Sequence, residues 1–244
     1  MTPKNAMVLA AGLGLRMRPL TLDRPKPLIE VAGRTMLDRA LDRLVEVGVT
    51  DVVVNAHYLG RMIHEHLARR TTPRIVFSDE DTPLDTGGGV VRALPRLGAA
   101  PFYVVNADIV WLDGRRPALA RLAQAWDDAR MDACLMVHSA VRAIGYDGAG
   151  DFMVDPLGVV TRRREGHVAP FVFTGVQILH PRLFAGAPPG AFSLNRLYDR
   201  AEEAGRLYAV VNDGEFFHIG TPDSLIDAEK AMGDMFRVDP RRDP

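Results

Sequence analysis

Short runs of apolar and β-branched residues alternate with longer amphipathic stretches along most of this chain, and this alternation limits its fold more than any other feature. In residues 36–47, for example, apolar side chains recur at the spacing of one helical face. Such alternation builds an open, largely parallel sheet covered by helices on both faces. The predicted strands are residues 6–10, 52–55, 74–77, 102–106 and 133–137, and the predicted helices between them are residues 36–47, 59–69, 90–94 and 118–130.

The later part of the chain changes character and predicts a small β-rich insertion around the turn Asp155-Pro156-Leu157-Gly158. We expect one α/β domain over residues 1–238, with a mixed, mostly parallel sheet between helices. The polar tail, residues 239–244, is expected to fray. In order, the later predicted elements are a loop at 145–150, hairpin strands at 151–154 and 159–162, a strand at 171–179, and helices at 194–203 and 222–232.

Charge and composition exclude several classes of protein. The 244 residues carry 30 Lys and Arg against 31 Asp and Glu, whereas a sequence-independent nucleic-acid binder needs a basic surplus. The single cysteine, Cys134, lies in an apolar run and predicts a buried side chain, and no zinc spacing occurs. The apolar run 6–11 is shorter than the core of a signal peptide, and no stretch is long enough to span a bilayer. We expect a cytoplasmic protein whose partners include neither nucleic acid nor membrane.

A glycine-rich turn, Gly12-Leu13-Gly14, follows the first predicted strand. Open α/β sheets bind phosphates at that position, because backbone N–H groups near glycines can close around an anion. The turn lacks the Gly-Lys-Ser/Thr of a Walker loop, and Met17 stands where the dinucleotide fingerprint needs a third glycine. By itself, the turn is equally compatible with a purely structural role.

Three charged residues favour a role in handling phosphates. Arg16 lies in the turn, and Lys26 lies between Pro25 and Pro27, which restrict the backbone and reduce the entropy lost when the lysine contacts a phosphate. Asp108 follows a predicted strand, so it lies at the same edge of the sheet and can hold Mg²⁺ together with phosphate oxygens. Taken singly, the lysine is also compatible with a solvated surface position and the aspartate with a cap.

Together these elements resemble the sugar-1-phosphate nucleotidyltransferases. Residues 9–21 followed by Lys26-Pro27-Leu28 are similar to the highly specific family signature, Leu-Ala-Ala-Gly-x-Gly-x-Arg-x-x-Pro-Leu-Thr followed by Lys-Pro-Leu. The resemblance runs from residue 6 to about residue 232. Its further segments are Thr86-Gly87-Gly88-Gly89 for base recognition, Asn106-Ala107-Asp108 for the metal, Phe173-Thr174-Gly175-Val176 for the sugar, and Gly220-Thr221-Pro222 in the closing motif.

Within that family, the chain is most similar to the enzymes that transfer a uridylyl group to N-acetylmuramate α-1-phosphate in peptidoglycan recycling. Residues 83–89, Pro-Leu-Asp-Thr-Gly-Gly-Gly, resemble their Pro-Leu-Glu-Thr-Gly-Gly-Gly, and Gly150-Asp151-Phe152 resembles their Gly-Asp-Phe. Short mannose-1-phosphate guanylyltransferases share much of the pattern. UTP is therefore the favoured nucleotide and GTP the next, with mannose or heptose 1-phosphate as the alternative sugar substrate.

The resemblance implies a Rossmann-like nucleotidyltransferase fold and a reaction in which a nucleoside triphosphate and a sugar 1-phosphate give a nucleotide sugar and pyrophosphate. It implies catalytic roles for Arg16, Lys26 and Asp108. The implied nucleotide-binding residues are Leu9, Ala10, Ala11, Gly12, Gly14, Asp85, Gly87, Gly88 and Asn106, and the implied sugar-binding residues are Asn55, Gly150, Asp151, Thr174 and Gly175.

The sequence departs from the family in two places. His218 stands where the family usually has the metal-binding aspartate of its closing motif, and imidazole suits Mn²⁺ or another softer divalent metal better than Mg²⁺. The expected cofactor is Mg²⁺ on Asp108, with His218 either a second ligand, which would favour a softer metal, or a packing residue. The usual Glu-Lys-Pro reads Arg-Arg-Arg-Glu-Gly at residues 162–166, which leaves open the arginine that replaces the lysine.

Two hypotheses from other classes stay open. A catalytically inactive, nucleotide-sensing subunit would keep the fold, and His218 is the feature that favours it. A NAD-binding oxidoreductase is disfavoured by Met17. The sequence is compatible with a monomer or a dimer.

Overall fold

The computed structural model describes residues 2–236, so the predicted frayed tail at 239–244 lies outside the described residues. Within this range, a nine-stranded sheet forms the centre of the fold and two short two-stranded sheets lie beside it. The strands are β1 Asn5–Leu9, β2 Glu30–Val31, β3 Arg34–Thr35, β4 Asp51–Ala56, β5 Arg74–Asp79, β6 Phe102–Asn106, β7 Val110–Leu112, β8 Ala133–Ser139, β9 Phe152–Val154, β10 Val160–Arg162, β11 Phe171–Leu179, β12 Leu207–Val211 and β13 Glu215–Phe217. The helices are α1 Met36–Glu46, α2 Gly60–Leu67, α3 Asp85–Leu97, α4 Ala118–Ala125, α5 Asn195–Glu203 and α6 Pro222–Phe236.

The register of the central strands brings three carboxyl ends together. β1 pairs in parallel with β4 on one side and with β6 on the other, and Leu9 lies opposite both Asn55 and Asn106. The sheet runs in the order β10-β9-β11-β6-β1-β4-β5, with β8 and β12 attached through β11. β11 is antiparallel to β6 and β8, so the sheet is mixed, as predicted. Open α/β sheets bind ligands at the carboxyl ends of their parallel strands, and this edge is therefore where a site is expected.

Successive residues of the strands face opposite sides of the sheet and are covered by different helices. On one face, Val8 of β1 packs in a cluster with Leu41 of α1, and α2 and α4 cover the same face. On the other face, Met7 packs in a cluster with Val90 of α3, together with α5. A third cluster packs α6 against Met17, in the segment that follows the glycine turn. Burial on both faces explains why the central strands are almost wholly apolar.

The structure confirms the predicted strands to within about two residues at each end, and it adds β2, β3, β7, β12 and β13. Most of the predicted helices agree as well, but α4 ends at Ala125 because Trp126 is extended, with φ −60° and ψ 123°. None of the helices within residues 2–236 is long and apolar enough to cross a membrane.

Helix α3 differs most from the prediction of a helix over residues 90–94, since it begins at Asp85 and includes three glycines. Close packing explains these glycines. A Cβ on Gly87 would lie 2.3 Å from the ring of Phe192, and one on Gly88 would lie 2.3 Å from the carbonyl oxygen of Gly190. Tertiary contact here outweighs the low helix propensity of glycine.

A buried histidine makes the stability of this fold depend on pH. His138 of β8 lies beside Phe216, and burial followed by the positive charge of Arg142 lowers its pKa. A histidine whose pKa is lower in the folded chain stabilises the fold fully above the unfolded pKa of about 6.5, and this contribution is lost as pH falls from that value through the lower pKa of the folded chain.

We therefore expect the free energy of unfolding to decrease between about pH 7 and pH 5, and His138→Gln, which cannot titrate, to weaken that decrease. Urea denaturation at a series of pH values measures both effects. The matched control is His167→Gln at an exposed position, which should keep the wild-type slope. A slope that is the same in His138→Gln and in the wild type would contradict the role of this histidine.

Candidate active site

A cleft of about 530 Å³ opens at the carboxyl ends of β1, β4 and β6. The turn after β1, the segment that carries Lys26 and the residues after β6 form its walls. Among the predicted site residues, those that line the cleft are Leu9, Ala10, Ala11, Gly12, Gly14, Arg16, Lys26, Asn55, Asp85, Asn106 and Asp108. Those that do not line it are Gly87, Gly88, Gly150, Asp151, Thr174, Gly175 and His218.

The glycine turn is shaped by hydrogen bonds to the carbonyl oxygen of Gly14. The Thr21 hydroxyl donates to this oxygen at 2.8 Å, and the backbone N–H of Met17 donates to it at 3.0 Å. The turn continues into a single 3-10 turn, Leu15–Met17, which carries Arg16 on the wall of the cleft. The protein thus holds an arginine and a turn of backbone amides beside the same space, an arrangement suited to a chain of phosphates.

Lys26 and Asp108 form an ion pair at the cleft, with 2.8 Å between Nζ and Oδ2. Lys26 opens the 3-10 turn Lys26–Leu28 after the extended Pro25, and only 8 % of the lysine is exposed. Asp108 follows β6, and the backbone N–H of Ala107 donates to the Leu9 carbonyl at 2.9 Å, which fixes this segment against β1. The ion pair therefore joins two segments that lie far apart in the sequence.

His218 faces Arg16 across Gly220. A Cβ on Gly220 would lie 3.0 Å from the His218 Nε2 and 3.5 Å from the Arg16 Nη1, so the imidazole and the guanidinium approach the same point. Burial lowers the pKa of His218, and the positive charges of Lys26 and Arg16 lower it further. The imidazole is therefore neutral at neutral pH, and its free ring nitrogen can accept a hydrogen bond or bind a metal.

A divalent metal fits this cleft only in the company of phosphate oxygens. No group of three or more His, Cys, Asp or Glu side chains within residues 2–236 is arranged to hold a metal. Mg²⁺ does not need such a group, because it keeps several waters and takes one or two carboxylates plus substrate phosphates. Asp108, with 40 % of its side chain exposed, offers one carboxylate. The donor set thus suits a metal that binds together with a nucleotide.

A buried polar chain connects two walls of the cleft. The Asn55 Oδ1 accepts from the backbone N–H of Ala10 at 2.7 Å, and the Asn55 Nδ2 donates to the Glu80 Oε1 at 2.7 Å. The Glu80 Oε2 in turn accepts from the backbone N–H of Leu84 at 2.9 Å. Asn55 and Glu80 are 2 % and 5 % exposed. This pair fixes the distance between the glycine turn and the start of α3.

Sequence reasoning assigned Asn55 to the sugar and missed Glu80. The structure places Asn55 under the glycine turn with both ends of its amide engaged by protein groups, which explains its burial. Glu80 directly follows β5. A carboxylate immediately after a predicted strand is the signal that pointed to Asp108, and the same signal could have found Glu80.

The segment predicted to recognise the base is only partly available to a ligand. Pro83, Asp85 and Thr86 line the cleft. The backbone N–H groups of Gly87 and Gly88 both donate to the carbonyl oxygen of Phe192, at 2.8 and 3.2 Å. These two amides therefore build the start of α3 and are not free to contact a base, which differs from the expected role.

The predicted sugar-binding residues fall into two groups, those whose polar groups bond within the protein and one that lies near the cleft. The Thr174 hydroxyl is fully buried and donates to the Met136 carbonyl at 2.8 Å, and the Asp151 Oδ2 accepts from the backbone N–H of Phe173 at 2.8 Å. Both polar groups hold β11 in place. Gly175 does lie near the cleft, because a Cβ there would be 3.0 Å from the Asn106 side chain. The Gly150 N–H donates to the Tyr146 hydroxyl at 3.0 Å, so Gly150 shapes a loop.

Comparison with known proteins finds similarity over most of the chain. The family described as MobA-like NTP transferase domain matches residues 6–209. The chain is 44 % identical to the N-acetylmuramate alpha-1-phosphate uridylyltransferase of Caulobacter vibrioides, over 95 % of this chain and 98 % of that protein. It is 34 % identical to the protein of the same name from Neisseria meningitidis serogroup B, over 94 % of this chain and 98 % of that protein.

A guanylyltransferase and a solved structure are more distant. The mannose-1-phosphate guanylyltransferase catalytic subunit beta of Dictyostelium discoideum is 26 % identical, over 91 % of this chain and 62 % of that protein. The crystal structure of HddC from Yersinia pseudotuberculosis matches with a TM-score of 0.75 and 23 % identity, over 94 % of this chain and 99 % of that chain. This structural likeness confirms the predicted Rossmann-like fold.

The hydrogen bonds that join Ala10, Asn55 and Glu80 predict the effect of replacing Asn55. Asn55→Ala leaves the Ala10 N–H and the Glu80 Oε1 without their partners in a buried place. Each such loss costs about 1–3 kcal/mol, so we expect lower stability and nucleoside triphosphate binding weakened about tenfold or more. Isothermal titration calorimetry and thermal melting measure the two effects. Asn195→Ala at an exposed position is the matched control. Wild-type nucleotide affinity in Asn55→Ala would show that the turn holds its shape without this chain.

Proposed function

The chain belongs to the MobA-like NTP transferase family, as a sugar-1-phosphate nucleotidyltransferase, and on that premise we propose that it converts UTP and N-acetylmuramate α-1-phosphate to UDP-N-acetylmuramate and pyrophosphate. The cleft that gathers Arg16, Lys26 and Asp108 at the carboxyl ends of β1 and β6 carries the proposal. The choice of substrates is supported by two relatives of that name, each of which matches this chain over nearly the full length of both proteins.

The proposed reaction is an in-line displacement at phosphorus. An oxygen of the sugar phosphate forms a bond to the α-phosphorus of UTP, while the bond between that phosphorus and the β-phosphate oxygen breaks and pyrophosphate leaves. The attacking oxygen is already anionic at neutral pH, so no side chain has to remove a proton. The barrier comes from repulsion between anions and from charge that develops on the leaving group. Catalysis therefore depends on fixed positive groups and on accurate positioning of the two substrates.

Different residues of the cleft are assigned to different phosphates of the two substrates. We assign Arg16 and the free amides of the glycine turn to the triphosphate, because both lie on the same wall. We assign Lys26 to the two phosphates that meet at the α-phosphorus, since its ammonium group lies beside Asp108 at the end of β6. A cation held in a largely buried position stabilises developing negative charge more strongly than one in open solvent.

Enzymes of this family generally use a divalent metal. In this chain, we assign Mg²⁺ to Asp108, with His218, whose imidazole lies beside Gly220 together with the Arg16 guanidinium, as a second candidate ligand. A metal in this position supplies positive charge that orients the phosphates and stabilises pyrophosphate as it leaves. The neutral imidazole of His218 suits either a softer metal or a hydrogen bond to a phosphate-bound water.

Two other functions are less well supported. Guanylyl transfer to mannose 1-phosphate is named for a relative of 26 % identity, of which the match covers 62 %. A nucleotide-sensing subunit without turnover is favoured only by His218, and Arg16, Lys26 and Asp108 argue against it. We place the proposed reaction in the cytoplasm, where UTP is made. It is compatible with a monomer or a dimer.

Pyrophosphate release tests the proposal directly. With Mg²⁺ present, UTP, GTP, CTP and dTTP are each paired with the 1-phosphates of N-acetylmuramate, N-acetylglucosamine, glucose and mannose. We expect turnover to be highest with UTP and N-acetylmuramate 1-phosphate. Preference for GTP with mannose 1-phosphate would assign a guanylyltransferase instead. Absence of turnover in every pairing, also with Mn²⁺, would favour the sensing subunit.

The role of Lys26 predicts a large loss of turnover on its removal. Lys26→Ala should lower kcat by roughly 10² or more, because a charge partner of the transition state is lost. Lys4→Ala is the matched control, since the Lys4 ammonium group donates to the Gly48 carbonyl at an exposed position and its loss should leave kcat unchanged. Thermal melting separates this loss from a loss of folding. Near-normal kcat in a folded Lys26→Ala variant would rule out the assigned role.

A further inference from the structure

The proposed sugar carries an anionic group that the other candidate sugars lack. N-acetylmuramate bears a lactyl ether on carbon 3, whose carboxylate is absent from N-acetylglucosamine, glucose and mannose. A carboxylate that leaves water on binding loses affinity unless a cation or several hydrogen-bond donors replace its hydration. An enzyme that prefers this sugar therefore needs a cation or several hydrogen-bond donors on the side of the cleft that faces away from the base.

The strand order identifies that side. The polar chain of Asn55 and Glu80 and the start of α3 lie toward β4 and β5, whereas β11, β9 and β10 lie beyond β6 on the opposite side. β11 is antiparallel to β6 with Val176 opposite Val105, so the beginning of β11 extends past the carboxyl end of β6. Phe171 pairs with Phe152, and Phe152 pairs with Arg162. The residue after β10, Arg163, therefore lies at the same end of the sheet as the cleft, beside the residues that line it and not among them.

Arg163 is held in place by carbonyl groups and not by carboxylates. Its Nε donates to the Gly150 carbonyl at 2.8 Å, and its Nη1 donates to the His167 carbonyl at 3.0 Å. No Asp or Glu within residues 2–236 lies within ion-pair distance of its guanidinium, whereas the neighbouring Arg162 is paired with Asp199. Its other terminal nitrogen, Nη2, donates no hydrogen bond to any of these residues. The guanidinium is thus half-buried, oriented in advance and available to an anion.

Tyr146 adds a donor beside this arginine and connects it to the cleft. The Tyr146 hydroxyl oxygen accepts from the Gly150 N–H at 3.0 Å, which leaves its own hydrogen free to donate. Burial and the nearby Asp151 raise the pKa of Tyr146, so the hydroxyl keeps that hydrogen. The Tyr146 and His218 rings make a T-shaped contact with 5.5 Å between centroids, and His218 borders Gly220 of the cleft.

Building on the proposed function, we infer that the Arg163 guanidinium and the Tyr146 hydroxyl bind the lactyl carboxylate of N-acetylmuramate 1-phosphate and set the preference for this sugar. Asp151 forms no ion pair with this guanidinium, whose hydrogen bonds go to backbone carbonyls, and the Asp151 Oδ2 accepts from the backbone N–H of Phe173. The exposed Asp147 on the same loop disfavours an anion in its immediate vicinity, so the carboxylate lies on the side of Tyr146 that faces Arg163.

Steady-state kinetics with two acceptors test this inference. N-acetylmuramate 1-phosphate is compared with its lactyl methyl ester, which has the same shape without the charge. We expect Arg163→Gln to raise KM about tenfold for the free acid and less than about twofold for the ester, with KM for UTP unchanged. Arg163→Lys should recover part of the loss, and Tyr146→Phe should raise KM for the acid several-fold. Arg69→Gln, at an exposed position outside this loop, is the matched control and should match the wild type.

The outcomes separate this inference from the proposed function. A wild-type enzyme that does not use N-acetylmuramate 1-phosphate overturns the proposed function and the inference with it. A wild-type enzyme that uses it, together with an unchanged KM in Arg163→Gln, overturns the inference alone. Equal increases in KM for the acid and the ester in a folded Arg163→Gln variant would assign the arginine to a group that both acceptors share, such as the sugar phosphate, or to the shape of the loop, and would overturn its role toward the carboxylate.

Discussion

The parallel pairing of β1 with β4 and with β6 is the interaction on which the rest of this structure depends. It places Leu9 opposite both Asn55 and Asn106, so the segments that leave the three strands begin at one edge of the sheet. A shift of one residue in either ladder would turn the side chains of β1 to the wrong faces and separate Ala10 from Asn55. The strand register thus sets the position of the cleft, and the segments that follow the strands supply its charged residues.

Local sequence predicts the parts of this site that lie next to a strand end. Arg16 and Asp108 could be predicted because each follows a recognisable apolar strand, and Lys26 because prolines flank it. The same reasoning fails where a polar group is satisfied by a distant partner. Asn55 and Thr174 are residue types that often contact sugars, yet the hydrogen bonds of Asn55 are made to Ala10 and Glu80. Only the packed structure reveals such long-range partners.

Glycine runs show a second limit of sequence reasoning. The glycines at the start of α3 have low helix propensity, yet in the structure they lie in the first turns of that helix. The cause is the close approach of Phe192 and Gly190, which lie about a hundred residues later in the chain. A sequence pattern records that small residues are required there, but the identity of the neighbour depends on tertiary packing.

The charged groups of the cleft are arranged so that the negative charge of substrate phosphates balances its positive groups. Lys26 is paired with Asp108, and His218 is held neutral by burial and by the two cations near it. Relatives with an aspartate at the position of His218 would carry one more negative charge beside the phosphates. A neutral imidazole at this position leaves the cleft more positive than an aspartate would, so less metal charge would be required to offset the repulsion between two anionic substrates. A histidine in place of an aspartate would also weaken the set of metal ligands, and these two effects act in opposite directions on metal dependence.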